Sequence, residues 1–77
     1  MITILFFAGH QETIGKEQIE WNKAGVTISE LKRDLQEKYP ALTLDQSMAA
    51  VNEEYAADDT MVNDSDIVAF IPPVSGG

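Results

Sequence analysis

The sequence contains no cysteine. Disulfides, thiolate metal sites, iron–sulfur clusters and cysteine nucleophiles are excluded together. A single histidine, His10, leaves no histidine cluster to hold a metal. Cations are scarce: 5 Lys and Arg stand against 13 Asp and Glu, a net charge of −8. A field of that sign repels phosphate backbones and anionic lipid, so no nucleic acid and no membrane surface is expected as a partner. Long apolar runs are missing as well; Ile4 to Ala8 is far too short to span a bilayer. No basic segment followed by a hydrophobic one marks a secretory signal, and the expected location is cytoplasmic. Gly9 and Gly15 stand too far apart to form a phosphate-binding loop, and no repeat or low-complexity segment is present.

What remains is a folded domain. Hydrophobic residues make up 44% of the 77 and charged ones 23%, a balance outside the disordered range. A chain of this length forms one domain with a thin core and a radius of gyration of about 11–12 Å, too small to enclose a deep catalytic cavity.

Ile2 to Phe7 is rich in β-branched and aromatic residues and reads as a strand, with Ile2, Ile4 and Phe6 on one face and Thr3, Leu5 and Phe7 on the wetter one. Ala8 to Ile14 reads as a short helix ended by Gly15, where positive φ is cheap. Glu17 to Trp21 alternates polar and apolar, as a half-buried strand does, and a hairpin with the first strand is expected. Thr27-Ile28-Ser29-Glu30 has the form of a capping box. Behind it Ile28, Leu31, Leu35 and Tyr39 recur at helical spacing, with Pro40 as the stop. Met48 to Val51 reads as a strand of small residues, followed by a turn at Asn52-Glu53 and a brief strand from Glu54 to Ala56. Asp58-Asp59-Thr60 and Asn63-Asp64-Ser65 carry turn chemistry. Ile67 to Ile71 is the last strand, closed by Pro72-Pro73. The fold class is α+β: a mixed sheet under one main helix, about Ile28–Tyr39.

Side-chain chemistry is sparse. Adjacent Asp58 and Asp59 point apart in an extended loop, so they do not form a convergent acid–base pair. His10 has no obvious partner, Ser29 belongs to the first turn of a helix, and Glu53-Glu54 sits at a hairpin tip. The last residues differ in kind. Two prolines stiffen the exit from the final strand, and residues 72–77 are expected to project from a 1–71 domain. The five residues after Pro72 reach on the order of 17 Å when extended. Gly76 and Gly77 lack a Cβ, so this backbone can enter a channel closed to side chains. Beside the tail, Ile67, Ala69 and Ile71 form an outward apolar row. Phe7 and Tyr55 are expected to extend it into one patch, the signature of an interface.

These residues carry a resemblance. The opening Ile4-Leu5-Phe6-Phe7-Ala8, the segment Ala50-Val51-Asn52, and above all Asp66 to Gly77, with its Pro72-Pro73-Val74-Ser75-Gly76-Gly77 ending, resemble the ubiquitin-like β-grasp sulfur carriers. The nearest family is that of the molybdopterin synthase small subunit, and the likeness runs end to end. Two departures are visible: Ser65 replaces the usual glycine between two aspartates, and Gln11 stands where a basic residue is common. The first is expected only to reshape a turn; the second offers no charge for any ion pair that a partner would make at that point.

The resemblance implies a role. An E1-like adenylating enzyme would use ATP and Mg²⁺ to activate Gly77, and a persulfide would convert it to a thiocarboxylate. Pro73, Val74, Ser75 and Gly76 would thread the active site of the synthase large subunit, where the sulfur attacks a cyclic pyranopterin. The enzyme would then be a sulfurtransferase of two small and two large subunits, with this chain lacking catalytic side chains and binding no cofactor or metal. With no cysteine, sulfur must ride on the terminus. The alternatives are the thiamine-pathway sulfur carrier, a modifier conjugated to lysines through Gly77, and an adaptor domain with an idle tail.

Overall fold

β-Branched and aromatic side chains place the first strand, β1, at Ile2–Phe6, one residue shorter than expected. The chain leaves it at Phe7, which instead becomes the N-cap of helix α1, Ala8–Ile14. Gly15 ends α1 in the left-handed region at φ 81°, its amide donating to the Gln11 carbonyl. Then follow β2 at Gln18–Trp21, β3 at Val26–Thr27, helix α2 at Ile28–Lys38, β4 at Met48–Val51, β5 at Glu54–Ala56, β6 at Met61–Val62 and β7 at Ile67–Ile71. The structure, a computed structural model, describes residues 1–72. Pro73, Val74, Ser75, Gly76 and Gly77, the residues expected to thread a partner and carry the chemistry, lie outside the described residues.

Five strands form one sheet in the order β2-β1-β7-β4-β5. β1 and β7 run parallel at its centre, Phe6 beside Phe70, and the flanking pairs are antiparallel. A parallel pair needs a crossover, and α2 lies within it. The apolar stripe of α2, Ile28, Leu31 and Leu35, closes over Ile2, Ile4, Phe6, Val68 and Phe70. This is the ubiquitin-like β-grasp, with a radius of gyration of 11.4 Å.

Three local features differ from the sequence reading. Helix α2 stops at Lys38, so Tyr39 is its C-cap, with Pro40 disfavouring helical geometry before it. Glu30 NH donates to Thr27 Oγ1 at 3.2 Å, as a capping box requires, but the Glu30 carboxylate receives the Thr27 hydroxyl at 3.3 Å. The other amides opening α2 are met by loop carbonyls: Ile28 NH by Thr60 and Ser29 NH by Asp58. Finally, β3 and β6 pair as a separate two-stranded sheet, which brings Val62 into the core. Leu42 and Leu44, from the segment after α2, are buried there as well. Among the described residues no helix is long and apolar enough to cross a membrane.

Candidate functional site: the open face of the sheet

With α2 covering one side of the sheet, alternation leaves the other side open. Register defines that face. Leu5 lies beside Ala69, Ala69 beside Ala50 and Ala50 beside Tyr55, while Ile67 lies beside Thr3 and Ile71 beside Met48. The result is an open depression of about 600 Å³ lined by Leu5, Phe7, Ala50, Asn52, Glu53, Tyr55, Ile67, Ala69 and Ile71. All five residues expected to form a patch are therefore brought together. Tyr55 is 74% exposed, and Phe7 and Ile67 are each 45% exposed, a high cost in apolar hydration for one surface. Phe7 reaches the face from the cap of α1 rather than from the strand. Leu5, Ala50, Asn52 and Glu53 were not anticipated as lining residues. The alternation that placed Leu5 with Phe7 was the available signal for Leu5; Ala50 required the β4–β7 register.

Asn52 fixes the edge of this face. Its side-chain amide donates to Asp66 Oδ1 at 3.0 Å, and its side-chain carbonyl accepts from Ile67 NH at 3.0 Å. Asp66 in turn accepts the Asn63 amide at 2.8 Å. The Asn63 amide first, and then Asn52, hold the Asp66 carboxyl below its ordinary pKa. Asp66 Oδ1 and Asn52 Oδ1 thus pin the start of β7 to the β4–β5 turn, while Asp66 Oδ2 ties it to Asn63. That turn has φ 50° at Asn52 and 72° at Glu53, the pattern of a type I′ hairpin. Glycine is the usual second residue, and a side chain in the left-handed region costs roughly 1–2 kcal/mol. Ser65, at φ 73°, likewise stands in the left-handed region that favours glycine.

At its far end β7 hands the chain to Pro72, which lines a second depression with Gly9, His10, Thr13, Thr43, Asp45 and Gln46. His10, expected to lack a partner, is buried with Nε2 2.6 Å from Ser47 Oγ. The pairing spans 37 residues, so no local spacing announces it. With the Ser47 hydroxyl donating to the Thr43 carbonyl at 3.4 Å, the Nε2–H tautomer of His10 would donate to Ser47. The pair is a structural link between α1 and the 43–47 segment. Burial lowers the His10 pKa from its ordinary 6.5. Between the lowered value and 6.5 the unfolded chain binds the proton more readily, so this contribution to stability is complete above pH 6.5 and is lost as pH falls through the folded-state pKa. The melting temperature should accordingly drop on acidification below 6.5, and His10→Gln should flatten that part of the profile in a thermal-melt series.

Gln11 lines a shallow depression with Leu5, Phe7 and Glu17 at the margin of the open face. Asp58, read as a solvated turn residue, accepts Lys32 at 3.1 Å from an exposed position. Among the described residues no group of three or more His, Asp or Glu is placed to hold a metal ion.

Known proteins share this chain's features. The profile of the ThiS family matches residues 4–77. The molybdopterin synthase sulfur carrier subunit of Dictyostelium discoideum is 42% identical over 80 residues, covering 96% of this chain and 93% of that protein. Among solved structures, the HVO 2177 protein of Haloferax volcanii matches with a TM-score of 0.86 at 26% identity, over 99% of this chain and 85% of that one. A chain in the protein–protein complex of subunits 1 and 2 of the Helicobacter pylori molybdopterin-converting factor matches with a TM-score of 0.70 at 26% identity, over 99% of this chain and 97% of that one.

Proposed function

This chain belongs to the ThiS family, among the molybdopterin synthase sulfur carrier subunits, and we propose that its reactive group is the Gly77 carboxylate. The supporting observation is a family match that extends to Gly77 in a chain without cysteine. Sulfur bound covalently to such a chain needs an acyl carbon to hold it.

A carboxylate does not react with sulfur donors, because oxide is too poor a leaving group. An E1-like enzyme with ATP and Mg²⁺ joins AMP to Gly77 and releases pyrophosphate. A persulfide sulfur then attacks the acyl carbon and AMP departs; a thiol cleaves the resulting sulfur–sulfur bond, leaving the Gly77 thiocarboxylate. Pro73, Val74, Ser75 and Gly76 lead that sulfur into the large subunit of molybdopterin synthase, where it attacks the cyclic pyranopterin precursor. Acid–base groups come from the large subunit. The chain is thus the sulfur-donating subunit of a heterotetrameric sulfurtransferase, and the open sheet face is its docking surface.

Two measurements test this. Co-expression with the activating enzyme and a desulfurase should yield intact protein in which one oxygen is replaced by sulfur. Covalent adducts on lysines of other proteins would identify a modifier instead. The second concerns docking: Ile67→Asp should weaken binding to the large subunit by at least about tenfold, because it buries a charge in an apolar contact. Its melting temperature should change little, since Ile67 is already 45% exposed. Unchanged affinity would remove the open face from the interface.

A further inference from the structure

Glu53 does nothing for the fold that a glycine would not do better. It occupies the second turn position at φ 72°, where glycine is free of strain. Glu53 also lines the apolar depression, together with Tyr55 and Ile67. The ion pairs among the described residues join Lys23 to Asp34, Lys32 to Asp58 and the Met1 amino group to Asp64; none involves Glu53.

Four of the chain's five Lys and Arg lie elsewhere: Lys32, Arg33 and Lys38 belong to α2, and Lys23 is tied to that helix through Asp34, on the side of the sheet away from the open face. The fifth, Lys16, sits in the loop between α1 and β2. No Lys or Arg lines the depression. Glu20, in register with Thr3, adds a second carboxylate to the open face. An apolar centre with an acidic margin and no cation complements a surface of opposite charge.

We infer that Glu53 is a recognition residue, placed on the rim of the docking face to receive a Lys or Arg of the partner protein. The occupant is a surface of the synthase large subunit whose apolar centre is flanked by that cation; the inference rests on the docking role proposed above for this face. A rim pair of this kind steers encounter and fixes orientation, and salt screens it.

The test is calorimetric titration of the full chain into the large subunit from the same organism, at low and at physiological salt. Glu53→Gln should weaken binding by about three- to tenfold at low salt and flatten the salt dependence, and Glu53→Lys should cost at least about tenfold. Glu53→Gly is expected to raise the melting temperature by at least about 4 °C while weakening binding as Glu53→Gln does, which separates recognition from folding. If all three variants bind as the parent does while Ile67→Asp weakens binding, the role of Glu53 is overturned and the docking face stands. If Ile67→Asp also binds normally, the docking reading itself fails.

Discussion

Removing Gly77 is expected to lower sulfur transfer by at least about 100-fold while leaving the melting temperature of the domain unchanged. One residue shortens the reach of an extended backbone by about 3.5 Å, whereas a misplacement near 1 Å already costs about 100-fold in a reaction that depends on alignment. The remaining terminal carboxylate on Gly76 has the same chemistry but the wrong position. Gly76→Val is expected to produce a comparable loss for a different reason, since its side chain would have to enter a channel proposed to admit only backbone. Both variants should fold normally, because the core is built from residues between Ile2 and Phe70. Intact mass after incubation with the activating enzyme, followed by conversion of the pterin precursor, gives the readout. Full conversion by the chain lacking Gly77 would mean that the terminus is idle and the fold acts as an adaptor.

The second large effect concerns the fold. Phe70→Ala should cost about 3–5 kcal/mol, the range for truncating a buried aromatic ring. A 77-residue domain has only about 4–12 kcal/mol of total stability. Phe70 is fully buried on the central strand, between Phe6 of β1 and Ala49 of β4, so no exposed neighbour can move in to fill its volume. The melting temperature should fall by at least about 12 °C, with a matching shift in the urea midpoint followed by Trp21 fluorescence. A decrease smaller than about 5 °C would show that the core repacks around the lost ring. Adjacent residues on β7 thus separate two roles: Phe70 faces α2 and supports the fold, while Ile67, Ala69 and Ile71 face outward.

Thirteen acidic groups against five basic ones bear on the docking proposal as well. Like charges spread over so small a domain repel a second acidic surface, so two copies of the carrier should be held apart while a cationic partner is attracted. Confinement of most cations to α2 sharpens this asymmetry, since Lys23 and Lys32 are partly neutralised there by Asp34 and Asp58.

Much of the architecture was legible residue by residue. β1 and β7 declare themselves by β-branched and aromatic content, and α2 by the spacing of Ile28, Leu31 and Leu35 behind Thr27. The apolar row on β7 was visible through simple alternation, and the Gly-Gly ending together with the missing cysteines is what pointed the proposed sulfur chemistry to the terminus. These features rest on neighbours a few positions apart, where backbone geometry is periodic and local preference is enough.

Other features depend on contacts between distant segments. β3 and β6 have two residues each, too few to display a period, and they exist because Val26 and Val62 meet across the fold. Leu42 and Leu44 follow the helix in an irregular segment, so no stripe marks them as core. His10 finds Ser47 only when α1 folds against the 43–47 segment. The position of Glu53 at the edge of an apolar face follows from the β4–β7 register and a turn of fixed hand. Local periodicity specifies which way a side chain points from its own element; what it meets there is set by packing, because contact energies accrue only after the entropy of closing the long loops has been overcome.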